Sequence, residues 1–355
     1  MRVALVAHHA RATGGQDRYA LEIARHLATG DRCDVSLVVI DADADLPAPV
    51  SVLRVGTPGL PLLVTAPLFR RAARKAIARG RFDVVHAIGG ALPGAQVVTT
   101  QFCHAAWREV AGRQSPYQRL VARQSEADDR AAYRHPALRA VIAVSHRTAE
   151  EVASHYGPLQ VPVTVIPNGV DPVVFAPPGP PRPARAEPVV LFVGAFARKG
   201  LDVAIGALAL MRTRVILRAV GGGSTGRFER LAERLGVRGR VLLDAPTRDI
   251  AAAFRSADAF VFPSRYDPFG MVVAEALACG VPVVTSRVAG ASELVTSGLN
   301  GVVVEDARDA AGFAAGLDAV LRDRARMSAA APAAVAGLDW GTIAERTLAV
   351  YRTVA

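Results

Sequence analysis

Short apolar runs recur along the whole chain, and between them apolar positions return every three or four residues. In the first half the runs are RVALVAH (2–8), VSLVVI (35–40), VSVLRV (50–55), DVVHAI (83–88), AQVVTT (95–100), AVIAVS (140–145) and VTVIP (163–167). In the second half they are VVLFVGA (189–195), RVILRAV (214–220), RVLLD (240–244), AFVFPS (259–264), VPVVTS (281–286) and GVVVE (301–305). Continuous β-branched runs alternating with helical patterns predict parallel sheets covered on both faces by helices, so the fold class is α/β. Between the halves lies DPVVFAPPGPPRPARAEP (171–188), too rich in proline for a helix or a central strand. The pattern predicts a first domain over 1–172, a surface linker over 173–187 and a second domain from 188. No repeat of 20–50 residues is visible. Two similar domains facing each other would form a cleft suited to a small ligand.

Composition narrows this picture. The chain has 355 residues, 51% of them apolar, which suits two large cores and excludes a disordered chain. No apolar run approaches the roughly 18 residues that span a bilayer. The first run ends at His8-His9 and reads as a strand, not a signal peptide. Cys33, Cys103 and Cys279 are scattered, with no metal spacing and no disulfide framework, and fit a reducing cytoplasm. Net charge is +10, evenly spread: 20 Lys/Arg against 15 Asp/Glu in residues 1–175, and 22 against 17 in the rest. That excess suits anionic partners such as phosphates or an acidic membrane surface. Nucleic acid fits the charge, but aromatic content is 6% and no nucleic-acid motif is present, so none is expected as a partner.

Four stretches carry candidate chemistry. In YDPFGMVVAEALACG (266–280), Pro268 and Gly270 break the chain after a strand, and a helix is predicted from about Gly270 to Cys279. The amides near Gly270, Met271 and Val272 would form an anion site at the carboxyl edge of a sheet. Asp267 and Glu275 flank that site and suit sugar hydroxyls. Spacing leaves open that Asp267 merely caps the helix and Glu275 is solvated. In GAFARKGLDVAIGAL (194–208), Arg198 and Lys199 occupy the turn before a helix starting near Leu201, where cations can neutralise a diphosphate without a metal; they could equally be exposed loop charges. Near the start, Gly14 and Gly15 precede an amphipathic helix and permit close backbone approach to a ligand, or make a plain turn. In TAPLFRRAARKAIARGRFD (65–83), apolar residues at 68, 69, 72, 73, 76 and 77 oppose Arg70, Arg71, Arg74 and Lys75. This predicts either a peripheral contact with anionic membrane or the solvated face of a packed helix.

Two further patterns compete. Gly221, Gly223 and Gly226 have G-x-G-x-x-G spacing, and Asp244 follows 18 residues after Gly226. That supports a nicotinamide-dependent oxidoreductase, although the motif follows the second strand of its half and not the first. DADAD (41–45) mimics an Asp-x-Asp metal site but reads better as a solvated acidic loop, and no metal is expected.

Taken together, GGQDRYALEIARHL, VIPNGVDPVVF, FVGAFARKGLD, AVGGGS, ADAFVFPSRYDPFGMVVAEALACGVPVV, AGASELVTSGLNGVVV and LDWGTIAERTLAVY resemble, in order, the retaining glycosyltransferases of family 4, with the GT-B fold. Residues 264–284 and the Arg198-Lys199 pair carry most of the likeness. The resemblance implies two Rossmann-like domains with the donor domain over 188–338, and a C-terminal helix over 339–355 packing on the first domain. It implies that Glu275 binds the ribose of a sugar nucleotide, UDP or GDP based, and that no cofactor is needed. Arg198 and Lys199 would hold the diphosphate, helped by amides around Gly270, Met271 and Val272. Gly14 and Gly15 would bring the first domain's loop near the donor. Asp267 stands where the family usually has Glu, beside the donor sugar, and its shorter reach puts the sugar's identity in doubt. His104, in VVTTQFCHAAWREVAG (97–112), is the candidate polar residue beside the reacting sugar, or a local cap. Glu293 is expected to be structural. The acceptor would be a glycan, a lipid-linked group or a natural product, and the setting cytoplasmic or peripheral to a membrane. A sugar-nucleotide epimerase, a phosphorylase, or a catalytically silent sugar-nucleotide binder remains an alternative.

Overall fold

Each of the apolar runs contains a β-strand in the computed structural model, which describes every residue except 44–45, 47–49, 180–186 and 248. The chain divides into two units: Met1–Gly169 with Trp340–Ala355, and Val170–Asp339.

In the first unit the strands are β1 (Arg2–Val6), β2 (His9–Ala10), β3 (Asp34–Val39), β4 (Asp41–Ala42), β5 (Ser51–Arg54), β6 (Val84–Ile88), β7 (Val97–Thr100), β8 (Ala140–Ala143) and β9 (Val163–Val165). The helices are α1 (Gly15–Ala28), α2 (Leu62–Arg79), α3 (His104–Val110), α4 (Pro116–Tyr133) and α5 (His146–Tyr156). A seven-stranded parallel sheet runs β5-β3-β1-β6-β7-β8-β9. Strand order reverses between β1 and β6, so their carboxyl ends diverge into a crevice. β7 and β8 are buried at every residue, which explains their unbroken apolar sequence. α4 starts at a reciprocal cap: Ser115 accepts from the Gln118 amide, Gln118 accepts from the Ser115 amide, and Pro116 takes the first helical position.

The second unit contains β10 (Val189–Val193), β11 (Ile216–Val220), β12 (Val241–Asp244), β13 (Ala259–Phe262), β14 (Val283–Ser286) and β15 (Gly301–Val304). Its helices are α6 (Leu201–Leu210), α7 (Gly226–Arg234), α8 (Ile250–Arg255), α9 (Met271–Ala278), α10 (Ala310–Arg322) and α11 (Arg324–Ala330). The sheet order is β12-β11-β10-β13-β14-β15, all parallel, with its reversal between β10 and β13. Phe192, Phe196, Leu201, Ile205, Phe228 and Phe313 fill the core on one face.

α12 (Trp340–Arg352) returns to the first unit. Trp340 lies 6.0 Å from the Tyr19 ring, and Arg32 pairs with Glu345 at 2.8 Å. The Tyr351 hydroxyl meets His86 Nδ1 at 2.6 Å, and His86 Nε2 meets Thr99 Oγ1 at 2.7 Å.

Three local readings change. The proline-rich stretch is not a free linker where it is described. Val170 onward belongs to the second unit, and Phe175 is buried there, 6.2 Å from the Phe254 ring. Residues 180–186 lie outside the described residues. On α2 the buried stripe is Thr65, Ala66, Phe69 and Ala73, whereas Leu68 is exposed. Arg70 leaves the solvated face to pair with Asp128 on α4, at 2.5 Å. The acidic stretch at 41–45 is not wholly loop: Asp41-Ala42 pair with His9-Ala10 as β4 and β2. Asp41 accepts from Arg11 at 2.8 Å and Asp43 from the Ala12 amide at 2.6 Å; residues 44 and 45 lie outside the described residues. Two-residue strands have no period to read.

Candidate functional site

In the second unit the loops after β10 and β13, the two strands at the reversal of strand order, carry the site residues. Crevices at that position are where open α/β sheets bind ligands. The first loop holds Arg198 and Lys199 and ends at Gly200, the N-cap of α6. Gly200 has φ +81°, and a β-carbon there would lie 2.1 Å from the Pro263 carbonyl oxygen. Only glycine lets the two loops touch at that point. Arg198 is exposed, whereas Lys199 is only 7% exposed.

The second loop holds Asp267 and ends at Gly270, the left-handed N-cap of α9 (φ +92°). It is fastened to the chain after β14: the Gly290 amide donates to the Asp267 carbonyl at 2.9 Å, and the Ala291 amide to the Phe269 carbonyl at 2.5 Å. Beneath it Ser286 Oγ donates to the Ser264 carbonyl at 2.6 Å. The amides at the start of α9 have no carbonyl one turn back, and the helix dipole is positive there. Gly270, Met271 and Val272 lie at that positive end.

Lys199 Nζ donates to Asp267 Oδ2, joining the two loops, and lies 5.3 Å from the Phe262 ring centroid. Burial lowers the Lys199 ammonium pKa below that of an ordinary lysine; Asp267 opposes the shift, and Arg198 adds to it. Asp267 does not cap α9, since no side chain caps that helix; its carboxylate holds the lysine instead. Glu275 is not solvated. It is 2% exposed, one turn inside α9. A lysine ammonium has three donors, so Lys199 can keep Asp267 and still donate to a phosphate. Glu293 is exposed, on the short turn Gly290–Leu294.

The glycine-rich motif packs on the loop after β10: a β-carbon at Gly221 would lie 1.9 Å from the Gly194 carbonyl oxygen, and the Phe196 amide donates to the Gly222 carbonyl at 3.0 Å. Gly221 and Gly223 follow β11, which is one strand away from the reversal. Asp244, the acid a dinucleotide ribose would need, accepts from Arg218 Nε at 2.6 Å.

In the first unit, Gly14 and Gly15 form the exposed start of α1, and Gly14 has no side-chain cap. His104 opens α3 after β7. Its Nδ1 lies 2.8 Å from Asp129 Oδ2, and its amide donates to the same oxygen at 3.2 Å. The Tyr156 hydroxyl donates to that oxygen at 3.0 Å. His104 is therefore a carboxylate-backed imidazole. It lines a cavity of about 180 Å³ between α2, α4 and the loops after β1, β6 and β7. Sequence reasoning missed Asp129, Tyr156 and His8, which also line or support this cavity. Asp128-Asp129 look like a solvated helix face, and only the packing of α4 in the fold leaves Asp129 1% exposed.

Two family profiles match the chain: Glycosyltransferase Family 4 over residues 13–174, and Glycosyl transferases group 1 over residues 180–334. D-inositol 3-phosphate glycosyltransferase of Xylanimonas cellulosilytica is 38% identical over 236 residues, covering 60% of this chain and 56% of that protein. Glycogen synthase of Mycobacterium tuberculosis is 33% identical over 222 residues, 59% of this chain and 53% of that protein. The chain spans just over half the length of these curated relatives. Among solved structures, WaaG, a glycosyltransferase involved in lipopolysaccharide biosynthesis, superposes with a TM-score of 0.82 at 22% identity, over 98% of this chain and 99% of that one. HepE of Anabaena in complex with UDP and glucose gives 0.74 at 21% identity, over 99% and 100%. At such identities the likeness concerns the fold, which is GT-B. Two consecutive family profiles run from residue 13 to residue 334 with only a short gap, and the chain belongs to the family 4, group 1 glycosyltransferases.

Proposed function

We propose that the protein is a retaining, metal-independent glycosyltransferase. It moves a hexose from a nucleotide-diphosphate sugar, UDP or GDP based, to a glycan, lipid-linked or natural-product acceptor. The observation that carries this is the buried Lys199–Asp267 pair facing the open start of α9, with Glu275 buried one turn further in. Arg198, Lys199 and the amides of Gly270, Met271 and Val272 are the groups that take up charge on a departing diphosphate. As the bond from the sugar C1 to the diphosphate oxygen breaks, its electron pair moves onto that oxygen. Fixed cations and helix amides favour that state over the ground state. Glu275 accepts from ribose hydroxyls, and Asp267 from a hydroxyl of the donor sugar. On the first unit His104 is the polar partner of the transferred sugar, and Gly14-Gly15 allow backbone to approach the donor.

Lys199→Ala and Glu275→Ala are each expected to lower turnover by about 10²–10³-fold, the usual cost of one such contact, with circular dichroism unchanged. Near-normal turnover in both removes the assignment. A thermal-shift screen of UDP, GDP, ADP and dTDP sugars identifies the donor, because a ligand that binds only the folded state raises the melting temperature. A response to NAD(P)H and to no sugar nucleotide would restore the oxidoreductase reading. Donor binding with no transfer to any acceptor would favour a silent binder.

A further inference from the structure

The side of α4 turned away from the His104 cavity carries a different chemistry. Arg119, Arg123, Arg130 and Arg134 recur at intervals of four, seven and four residues, so they line one side of the helix and its end. Gln124, Ser125 and Asp128, which line the cavity, lie on the other side. Arg108 on α3 and Arg113 in the turn between α3 and α4 complete the cluster. A hollow of about 300 Å³ at that turn is lined by Arg108, Arg113, Arg119 and Arg123, and the rest of its lining is uncharged. A second hollow shares Arg108 and Arg123 with it and continues along α4 to Arg134.

Counter-charge is scarce in this groove. Glu126 is the one carboxylate that lines either hollow, and it is shared: one oxygen accepts from Arg108 and the other from Arg130, at 3.2 Å. The Arg130 guanidinium also lies 5.5 Å from the Tyr156 ring centroid. Arg113, Arg119, Arg123 and Arg134 are exposed and form no ion pair among the described residues. Like charges four residues apart destabilise a helix, and Arg119–Arg123 and Arg130–Arg134 are two such pairs. An external anion turns that repulsion into binding. Guanidinium presents paired N–H donors whose geometry matches phosphate oxygens.

We infer that the α3–α4 groove of the first unit binds a soluble oligophosphate, a compound with two or more linked phosphate groups. A lone phosphate ester carries about two negative charges. Arg113, Arg119 and Arg123 around the first hollow supply three unpaired positive charges, so a diphosphate or triphosphate matches them better. A bilayer is the poorer occupant. The apolar lining of the groove is Ala111, Gly112, Ala127 and Ala131, with no large side chain to enter hydrocarbon. Tyr117 and Leu120, the exposed large apolar residues of α4, line neither hollow. The inference stands on charge and lining within the first unit and does not depend on the glycosyl-transfer reading.

The test uses the full chain and inorganic tripolyphosphate, titrated calorimetrically at low salt with UDP in excess so that the donor crevice is occupied. Saturable binding is expected, weakening as salt is raised. The double variant Arg119→Gln/Arg123→Gln is expected to bind about a hundredfold more weakly, since each lost bond to a charged group is worth about tenfold. Both side chains are exposed and lie outside the proposed transfer site, so circular dichroism is expected to stay native. Sulfate at equal ionic strength is expected to compete poorly. Sulfate binding as tightly as tripolyphosphate would make the groove a site for an adventitious ion only, and overturns the inference. Equal affinity in wild type and double variant overturns it too, as does no binding to the wild type. If the wild type floats with anionic vesicles, the double variant does not, and tripolyphosphate binds neither, the occupant is a bilayer and the inference is wrong. Failure of UDP to bind would count against the donor crevice and leave the comparison of wild type with double variant intact.

Discussion

Asp267→Asn isolates what the Lys199–Asp267 pair does. The substitution keeps the shape and removes the charge that faces a lysine only 7% exposed. Leaving one member of a buried pair uncompensated costs about 3–5 kcal/mol. There is a ceiling on that cost. The lysine can shed its proton, and neutralising it at pH 7 against an ordinary value near 10.5 costs about 5 kcal/mol at 1.36 kcal/mol per pH unit. The Phe262 ring, 5.3 Å from Nζ, offsets about 1 kcal/mol. A net loss of about 2–4 kcal/mol follows, read as a lower urea midpoint for the second unit's transition. The same change alters function through protonation. Burial already lowers the Lys199 pKa, and Asp267 is its main counterweight. Without Asp267 the pKa falls further, because the carboxylate that opposes the burial is gone. The diphosphate needs the ammonium, so UDP affinity declines as pH rises through the Lys199 pKa. In Asp267→Asn that alkaline limb moves toward neutrality. Isothermal titration of UDP across pH 6–10 measures it. Asp267→Glu, which keeps the pair, restores both midpoint and pH profile while changing donor-sugar preference. A midpoint within about 0.5 kcal/mol of wild type together with an unshifted pH limb refutes this account.

Three further outcomes follow from the same structure. Gly200→Ala forces a left-handed backbone on alanine and drives a β-carbon onto the Pro263 carbonyl, so it should cost about 2 kcal/mol or more and weaken UDP binding with no charge altered. His86 is wholly buried and its pKa is lowered to about 3, so the native state stays unprotonated while the unfolded state takes a proton below about 6.5. The stability this group contributes is present above pH 6.5 and falls with pH, by about 2 kcal/mol at pH 5; a urea-midpoint series on wild type and His86→Gln shows the slope shrinking in the variant. Exposed Leu62, Val64 and Leu68 on α2 lie along the chain from exposed Arg71 and Lys75, so flotation with anionic vesicles at low salt should carry the protein upward, and no flotation removes the membrane reading.

The α/β class, the strand positions and the loops after β10 and β13 were legible from the sequence alone. Their causes are local: a strand buried on both faces must be continuously apolar, and a helix start after a strand requires residues such as Gly270. The candidates Arg198, Lys199, Asp267 and Glu275 were legible for the same reason, because each sits at a fixed offset from such a break. Sequence could not say which charges face inward. Arg198 and Lys199 are neighbours with the same charge, yet one is exposed and the other buried against Phe262 and Asp267, 68 residues later. Asp128 and Asp129 are likewise adjacent, and α4 sends one to Arg70 and the other to His104. Helical period fixes an angle around an axis, but burial depends on what the rest of the chain lays against that angle. The cavity beside His104 is assembled from α2, α4 and three loops far apart in sequence, so only the tertiary fold could bring His8, His104 and Asp129 to one cavity.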